Sequence, residues 1–132
     1  MKSISCFALI AVLLMILSCS GRRAVTDPTY QPQIINQPDT FAFQATNVAN
    51  VTQSIQYVWQ NSGTSANVNQ ASQIAAGSAT MTIRDAAGQQ VYSASLGANG
   101  TFVTASGLTG GWTIQLVLTN LTGTLNFRVQ RP

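Results

Sequence analysis

Side chains that could perform acid–base or nucleophilic chemistry are scarce in this sequence. It has three carboxylate side chains, Asp27, Asp39 and Asp85, and neither glutamate nor histidine. Without histidine, neither a Ser-His-Asp triad nor an imidazole zinc ligand can be built. A carboxylate pair for general acid–base catalysis would have to combine Asp39 with Asp85. We expect instead that Asp85 caps a turn and that Asp39, directly after Pro38, marks the start of the folded domain.

The sequence therefore predicts no catalytic residue, no metal site and no cofactor, and it predicts that the protein is not an enzyme. Positive charge is also sparse. The formal net charge is +3, but three of the six basic residues are Lys2, Arg22 and Arg23. After residue 38, three arginines and two aspartates leave a net charge of +1. Because nucleic-acid-binding domains carry a dense Lys/Arg surface, we expect no nucleic-acid partner.

An uninterrupted apolar segment, residues 7–17, follows Lys2 near the beginning of the chain. As a helix it would be about 16 Å long, whereas the hydrocarbon core of a bilayer is about 30 Å thick. A basic start, a short apolar segment and small residues after it are the three parts of a secretory signal. We expect residues 1–18 to be a cleaved signal peptide.

The end of that segment, Ile16-Leu17-Ser18-Cys19, resembles the lipobox of bacterial lipoproteins. The resemblance implies cleavage before Cys19, a diacylglyceryl thioether on its sulfur and a fatty acid such as palmitate on its new amino group. Several acyl chains on one residue give stable membrane anchoring. The residue directly after the cysteine is Ser20 and not an aspartate. In lipoproteins of the Gram-negative type, this implies sorting to the outer membrane. The alternative is an ordinary signal peptide that contains Cys19; in the lipoprotein interpretation Cys6 is lost and the mature domain has no cysteine.

Residues 19–38 contain three of the four prolines of the chain and few apolar residues. Proline favours extended, polyproline-like conformations. We expect the lipidated cysteine and an extended linker over residues 19–38, followed by one domain over residues 39–132. The alternative is that Ile34-Ile35 forms a first edge strand that docks on this domain.

From Phe41 onward, apolar and polar residues alternate with the period of two that is typical of β-strands. Clear runs cover residues 41–45, 55–60, 79–84, 112–119 and 125–130, weaker runs cover 89–96 and 100–106, and residues 66–74 are ambiguous. Turn-forming residues separate the runs at Asp85–Gly88, Asn99-Gly100 and Thr122-Gly123. Seven or eight short strands without a helical period predict an all-β fold, an antiparallel β-sandwich or jelly roll.

Residues 79–96, two strands around an Asp-x-x-Gly turn, resemble the hairpin of bacterial pre-peptidase C-terminal domains and related CUB-like jelly rolls. Residues 110–114 resemble the start of their penultimate strand, and residues 125–129 resemble their closing strand. The resemblance implies a jelly roll and an accessory role in a secreted hydrolase system. The acidic residues that such domains often carry before the hairpin are missing, so no calcium site is inferred.

Two main function classes remain. The first is a non-enzymatic, lipid-anchored module of the bacterial cell envelope, on the periplasmic or outer face, that binds an envelope protein or takes part in an assembly. The alternative, beside the hydrolase accessory domain, is a carbohydrate-binding module that stacks polysaccharide on aromatic rings. The stacking candidates are Tyr57 and Trp59, which alternate along one strand, and more remotely Tyr92 and Trp112. Because apolar residues share the faces of Trp59 and Trp112, we expect both indoles to lie in the core.

Overall fold

The protein has the antiparallel all-β fold that the alternating pattern predicts. The computed structural model describes residues 31–132, and none of these residues is helical, so this range contains no helix that could span a membrane. Its seven strands are β1 (Gln33–Gln37), β2 (Thr40–Asn61), β3 (Asn67–Gln70), β4 (Gln73–Arg84), β5 (Gln90–Ser95), β6 (Gly100–Val103) and β7 (Gly110–Gln130). The predicted signal peptide, Cys19 and the first part of the predicted linker lie outside the described residues.

Two long strands, β2 and β7, pair along most of their length and form the centre of the fold. Shifts of register interrupt this pairing in the middle, between Ala45 and Gln53 of β2. Both strands fold over at these bulges. As a result the amide of Asp39, just before β2, donates a 2.8 Å hydrogen bond to the carbonyl of Gln60 near the end of β2. One strand pair thus contributes to two facing layers.

In the first layer, the beginning of β2 pairs with the end of β7. β1 lies beside β2, and β3 and β6 continue the sheet beyond β7. In the second layer, the end of β2 pairs with the beginning of β7, and β4 and β5 continue the sheet beyond β7. This arrangement is β-sandwich-like, with all strand pairs antiparallel.

The corner between the layers comprises residues 46–52 of β2, 75–78 of β4 and 119–124 of β7. Five residues there have positive φ: Asn47, Asn50, Gly77, Asn120 and Gly123. A Cβ atom on Gly77 would lie 2.1 Å from the carbonyl oxygen of Asn120, and one on Gly123 would lie 2.2 Å from that of Gln73. Only glycine allows the three strands to approach each other this closely where they bend.

Apolar side chains from both layers meet in one continuous core. The second layer contributes the inward row of β7, which is Trp112, Ile114, Leu116 and Leu118, as the alternation predicted. In the first layer, the rings of Phe43 and Phe127 stack with their centroids 5.2 Å apart. Tyr57 of the second layer lies with its ring 5.3 Å from that of Phe41 in the first. These contacts join the two layers.

The predicted linker is wrong from Gln33 onward, and the edge-strand alternative is confirmed. Ile34-Ile35 belongs to β1, which pairs with β2 through a register that sets Ile35 opposite Ala42. The side-chain amide of Asn36 also donates a 2.9 Å hydrogen bond to the carbonyl of Val58. Backbone pairing and this bond hold β1 although all five of its residues are exposed.

The predicted turn at Thr122-Gly123 is also wrong, because these residues lie inside β7 at the corner. The runs 112–119 and 125–130 are therefore parts of one strand, and the runs 41–45 and 55–60 are both parts of β2. The ambiguous residues 66–74 form β3 and the beginning of β4. β2 and β7 bend at bulges and continue, so each of them joins two of the predicted runs.

Candidate functional site

Asp85 holds the turn between β4 and β5, as expected. Its Oδ2 accepts a 2.9 Å hydrogen bond from the amide of Leu108, and its Oδ1 accepts bonds of 3.0 and 2.9 Å from the amides of Ala87 and Gln89. These donors, Leu108 first, lower the pKa of the carboxyl below its ordinary value of 3.8. The residue is only 3% exposed. Its oxygens are therefore occupied by the turn that it stabilises.

Asp39 occupies the turn between β1 and β2, with a φ of 67°. Its two carboxylate oxygens accept 2.8 Å hydrogen bonds from the amide and the hydroxyl of Ser62. The amide bond, the hydroxyl bond and the charge of Arg131 lower the pKa of Asp39. Asp39 and Asp85 thus bond to separate partners, each within its own turn. Among residues 31–132, no group of three His, Cys, Asp or Glu residues could hold a metal ion.

The two tryptophans lie in the core, where we expected them. Both are 0% exposed, and their rings meet edge to face with the centroids 6.0 Å apart. The indole N–H of Trp59 donates to the carbonyl of Gln37 at 3.1 Å, and that of Trp112 donates to the carbonyl of Leu108 at 2.7 Å. The structure contradicts a stacking role for Trp59, because its ring has no exposed surface for a sugar.

The tyrosines do not form an exposed surface for sugar stacking either. Tyr57 is half-buried, with its ring tilted against those of Phe41 and Phe43 at 5.3 and 6.1 Å, and this burial raises its pKa. Tyr92 is also half-buried, and its hydroxyl donates a 2.7 Å hydrogen bond to the amide oxygen of buried Gln70. A stacking site needs open aromatic faces in a row, and Tyr57 with Trp59 does not form one.

An open groove of about 410 Å³, which the sequence pattern did not predict, lies on the outer face of the first layer. The strand register gives its geometry. Gln33, Gln44 and Asn126 lie side by side in one outward row, and Ile35, Ala42, Arg128 and Asn69 lie in the next. We name this depression the amide groove; its outward lining is Gln33, Ile35, Ala42, Gln44, Asn69, Ala71, Asn126 and Arg128.

Small residues leave the space in the amide groove, and longer polar residues surround it. Ala42 is paired directly with Arg128, and the amide of Ala71 donates a 2.9 Å hydrogen bond to the carbonyl of Asn126. The four lining amide side chains can both donate and accept hydrogen bonds, whereas the guanidinium of Arg128 only donates. Chemically, the groove is suited to binding hydroxyl-bearing or anionic ligands.

No protein-family model and no curated protein matches the chain. Similar solved structures include procruciferin, an 11S globulin from Brassica napus, with a TM-score of 0.42 and 13% identity, covering 81% of this chain and 27% of that chain. Another is the Glycosylation Associate Protein (Gap123) complex from Streptococcus agalactiae, with a TM-score of 0.41, 10% identity and coverage of 80% and 41%.

A third similar structure is accessory secretory protein 1, 2 and 3 of Streptococcus pneumoniae, with a TM-score of 0.39 and 9% identity. The alignment covers 80% of this chain and 89% of that chain. The aligned region spans less than half of each of the first two chains. These similarities concern the β-fold alone.

Proposed function

We propose that this protein is a lipid-anchored module of the bacterial cell envelope that binds a partner and does not catalyse a reaction. The observation that carries the proposal is a contrast between two parts of the structure. Both aspartates of residues 31–132 are occupied by turns. The amide groove, in contrast, is open to solvent and lined by side-chain amides and a guanidinium that can hydrogen-bond a ligand.

The anchor rests on the sequence Ile16-Leu17-Ser18-Cys19 and on its resemblance to the lipobox. Ser20 supports sorting to an outer membrane, with the domain on its periplasmic or outer face. Thirteen residues separate Cys19 from Gln33, the first residue of β1. At full extension they reach at most about 45 Å. The lipid would thus hold the sheet, and the groove beside β1, close to the membrane surface.

The second candidate is carbohydrate binding. It no longer rests on Trp59, and the amide groove now favours it, because side-chain amides can hydrogen-bond the hydroxyl groups of a sugar from both donor and acceptor atoms. Protein binding and carbohydrate binding both use an exposed surface of the same anchored module. The accessory-domain alternative rests on the hairpin resemblance of residues 79–96 and stays a prediction.

Metabolic labelling in a bacterial host tests the proposed anchor. A clickable palmitate analogue should label the wild-type protein, which should sediment with the membranes. Cys19→Ser removes the sulfur that forms the thioether, so this variant should lose both the label and the membrane fraction. Labelling of wild type and Cys19→Ser to the same extent would contradict the anchor.

Cys6→Ser is the matched control for this experiment. It also removes one cysteine from the N-terminal region, but in the proposed maturation Cys6 leaves with the signal peptide. Its labelling and sedimentation should equal those of the wild type. If Cys6→Ser lost the label and Cys19→Ser kept it, the acyl chain would be on Cys6. That result would overturn the proposal.

A further inference from the structure

We propose that the amide groove binds a carboxylate-bearing polysaccharide, with the guanidinium of Arg128 as the partner of the carboxylate. This inference deepens the binding part of the proposed function and is independent of the lipid on Cys19. It assigns a site on the outer face of the first layer, on the opposite side of the sheet from the buried rings of Phe43 and Phe127.

The charges of the described residues single out Arg128. Arg84 donates a 3.1 Å hydrogen bond to Gln115 on the outer face of the second layer, and Arg131 donates a 3.0 Å bond to Ser62. Arg128 is exposed and has no side-chain partner among residues 31–132. In the part of the chain that the structure describes, no carboxylate side chain lines the groove, since Asp39 and Asp85 both lie in turns outside it. From residues 31–132, an anion in the groove would therefore meet the positive charge of Arg128 and no negatively charged side chain.

The shape of the groove gives an anion access to that charge. Ala42 lies directly opposite Arg128 in the β2–β7 register, and the next outward pair is Gln44 with Asn126. The single methyl group of Ala42 leaves room beside the guanidinium. A carboxylate in this space would accept two parallel N–H bonds from Arg128, the geometry that guanidinium provides and ammonium does not. The neighbouring amides of Gln44 and Asn126 are then placed for hydroxyl groups of the same ligand.

The extent of the groove favours a chain-like ligand over a small anion. Its lining spans β1, β2, β7 and β3, and three inter-strand spacings amount to about 14 Å. One carboxylate would contact only the part around Arg128. Four amide side chains would remain for hydroxyl groups, whereas residues 31–132 offer no exposed aromatic row to a neutral sugar that depends on stacking. A polyuronate, which combines carboxylates with many hydroxyl groups along a chain, matches both kinds of lining.

Binding of the full chain, purified in detergent, to polygalacturonate tests the site. The methyl ester of the same polymer keeps the hydroxyl groups and lacks the charge. Calorimetric titration should show binding of polygalacturonate at least about tenfold tighter than binding of the ester, since a charge-assisted bidentate pair is lost. Arg128→Gln should weaken binding of polygalacturonate by about tenfold or more, and Arg84→Gln, on the opposite outer face, should leave it within about twofold.

A second variant tests the groove without a change of charge. Ala42→Leu fills the space beside Arg128, and it should weaken binding of polygalacturonate while Arg128 remains. Both positions face outward, so both variants should melt at temperatures close to that of the wild type, and this measurement checks that they are folded. If Ala42→Leu fails to fold, Arg128→Gln decides the result.

Four results would overturn the site: no binding by the wild type, equal binding of acid and ester, wild-type affinity in Arg128→Gln, or equal losses in Arg84→Gln. Binding of dextran sulfate as tight as that of polygalacturonate would overturn the carboxylate assignment. None of these results bears on palmitate labelling of Cys19, so failure of this inference and failure of the anchor are distinguishable.

Discussion

At the scale of single residues, Trp112 contributes both core packing and a hydrogen bond, as buried tryptophans usually do. Its ring is fully buried against Trp59, and its indole N–H donates to the carbonyl of Leu108, which precedes β7. The ring fills the core of the second layer, and the hydrogen bond satisfies a polar group that would otherwise be costly to bury. Asp85 binds the amide of the same Leu108. The backbone N–H and the backbone carbonyl of Leu108 therefore both have side-chain partners, which fix the segment before β7.

Trp112→Ala should lower the free energy of unfolding by about 3–5 kcal/mol, because it leaves a large cavity in the core and removes the indole hydrogen bond to the carbonyl of Leu108. This loss is a large share of the stability of a small domain. Urea unfolding of residues 31–132 measures it. Val117→Thr, on the exposed face of the same strand, should change the value by no more than about 0.5 kcal/mol. Similar unfolding midpoints for the two variants would show that Trp112 is not in the core.

Stability should fall at acidic pH because folding lowers the pKa of Asp85. The contribution of this carboxylate is complete above its ordinary pKa of 3.8 and is lost as the pH falls from that value through the lower pKa of the folded state. Urea midpoints between pH 6 and pH 2 should show this decline. Asp85→Asn should be less stable at pH 6 and should decline less steeply. The control variant Asp39→Asn, at the other turn, should keep the part of the decline that comes from Asp85. An acid profile in Asp85→Asn equal to that of the wild type would show that Asp85 does not cause the decline.

At the scale of the strands, the corner determines whether the sandwich can form. β2 and β7 change layer there, β4 pairs with β7 at the same place, and each of the three strands carries residues with positive φ. Side-chain bonds join two of these strands, because Thr52 Oγ1 lies 3.2 Å from Asn120 Oδ1 and also accepts a 2.9 Å bond from the amide of Asn120. The asparagines tolerate left-handed conformations. Gly77 is needed for a further reason, the close approach of the neighbouring backbone.

Gly77→Ala and Gly88→Ala separate the cost of a positive φ from the cost of the close approach of the neighbouring backbone. Both glycines have similar φ, 75° and 83°. A Cβ on Gly88 would have no atom within 4 Å, so Gly88→Ala should cost only the backbone strain of about 1–2 kcal/mol. A Cβ on Gly77 would lie 2.1 Å from a backbone oxygen. Gly77→Ala should therefore cost clearly more, or prevent folding, as measured by thermal unfolding. Equal losses in the two variants would contradict the close packing of the corner.

Local alternation was enough to predict the inward row of β7 and the burial of both tryptophans, because side chains of a strand alternate strictly between its faces. The Asp85–Gly88 turn was also predictable from its residue types. The corner was not, since glycine and asparagine with positive φ serve both turns and bulges. Which one forms at Gly123 depends on its pairing with Ile74 of β4, a contact that the local sequence does not contain.

The amide groove was unpredictable for a related reason. Alternation shows that Ala42 and Arg128 both face outward, but only the β2–β7 register places them side by side. The register also depends on how many residues the bulges take up between the two layers. The stacking alternative for Trp59 fails because its ring is buried, as the apolar residues on its face of the strand predicted.

At the scale of the whole molecule, the proposed anchor is connected along the chain to a strand of the proposed binding surface, β1. This strand contributes Gln33 and Ile35 to the amide groove, and the chain from Cys19 arrives at the same strand. The lipid would therefore hold the groove within about 45 Å of the bilayer along the chain. Such a position suits a ligand at the membrane surface, whether envelope protein or polysaccharide.

The lipid anchor is most directly tested by mass spectrometry of the N-terminal tryptic peptide from detergent-extracted protein. Trypsin should cleave after Arg22. The predicted result is a peptide of residues 19–22 whose mass includes a diacylglyceryl group on the Cys19 sulfur, with no peptide that contains residues 3–22. An unmodified Cys19, or a peptide that retains the residues before it, would contradict the account.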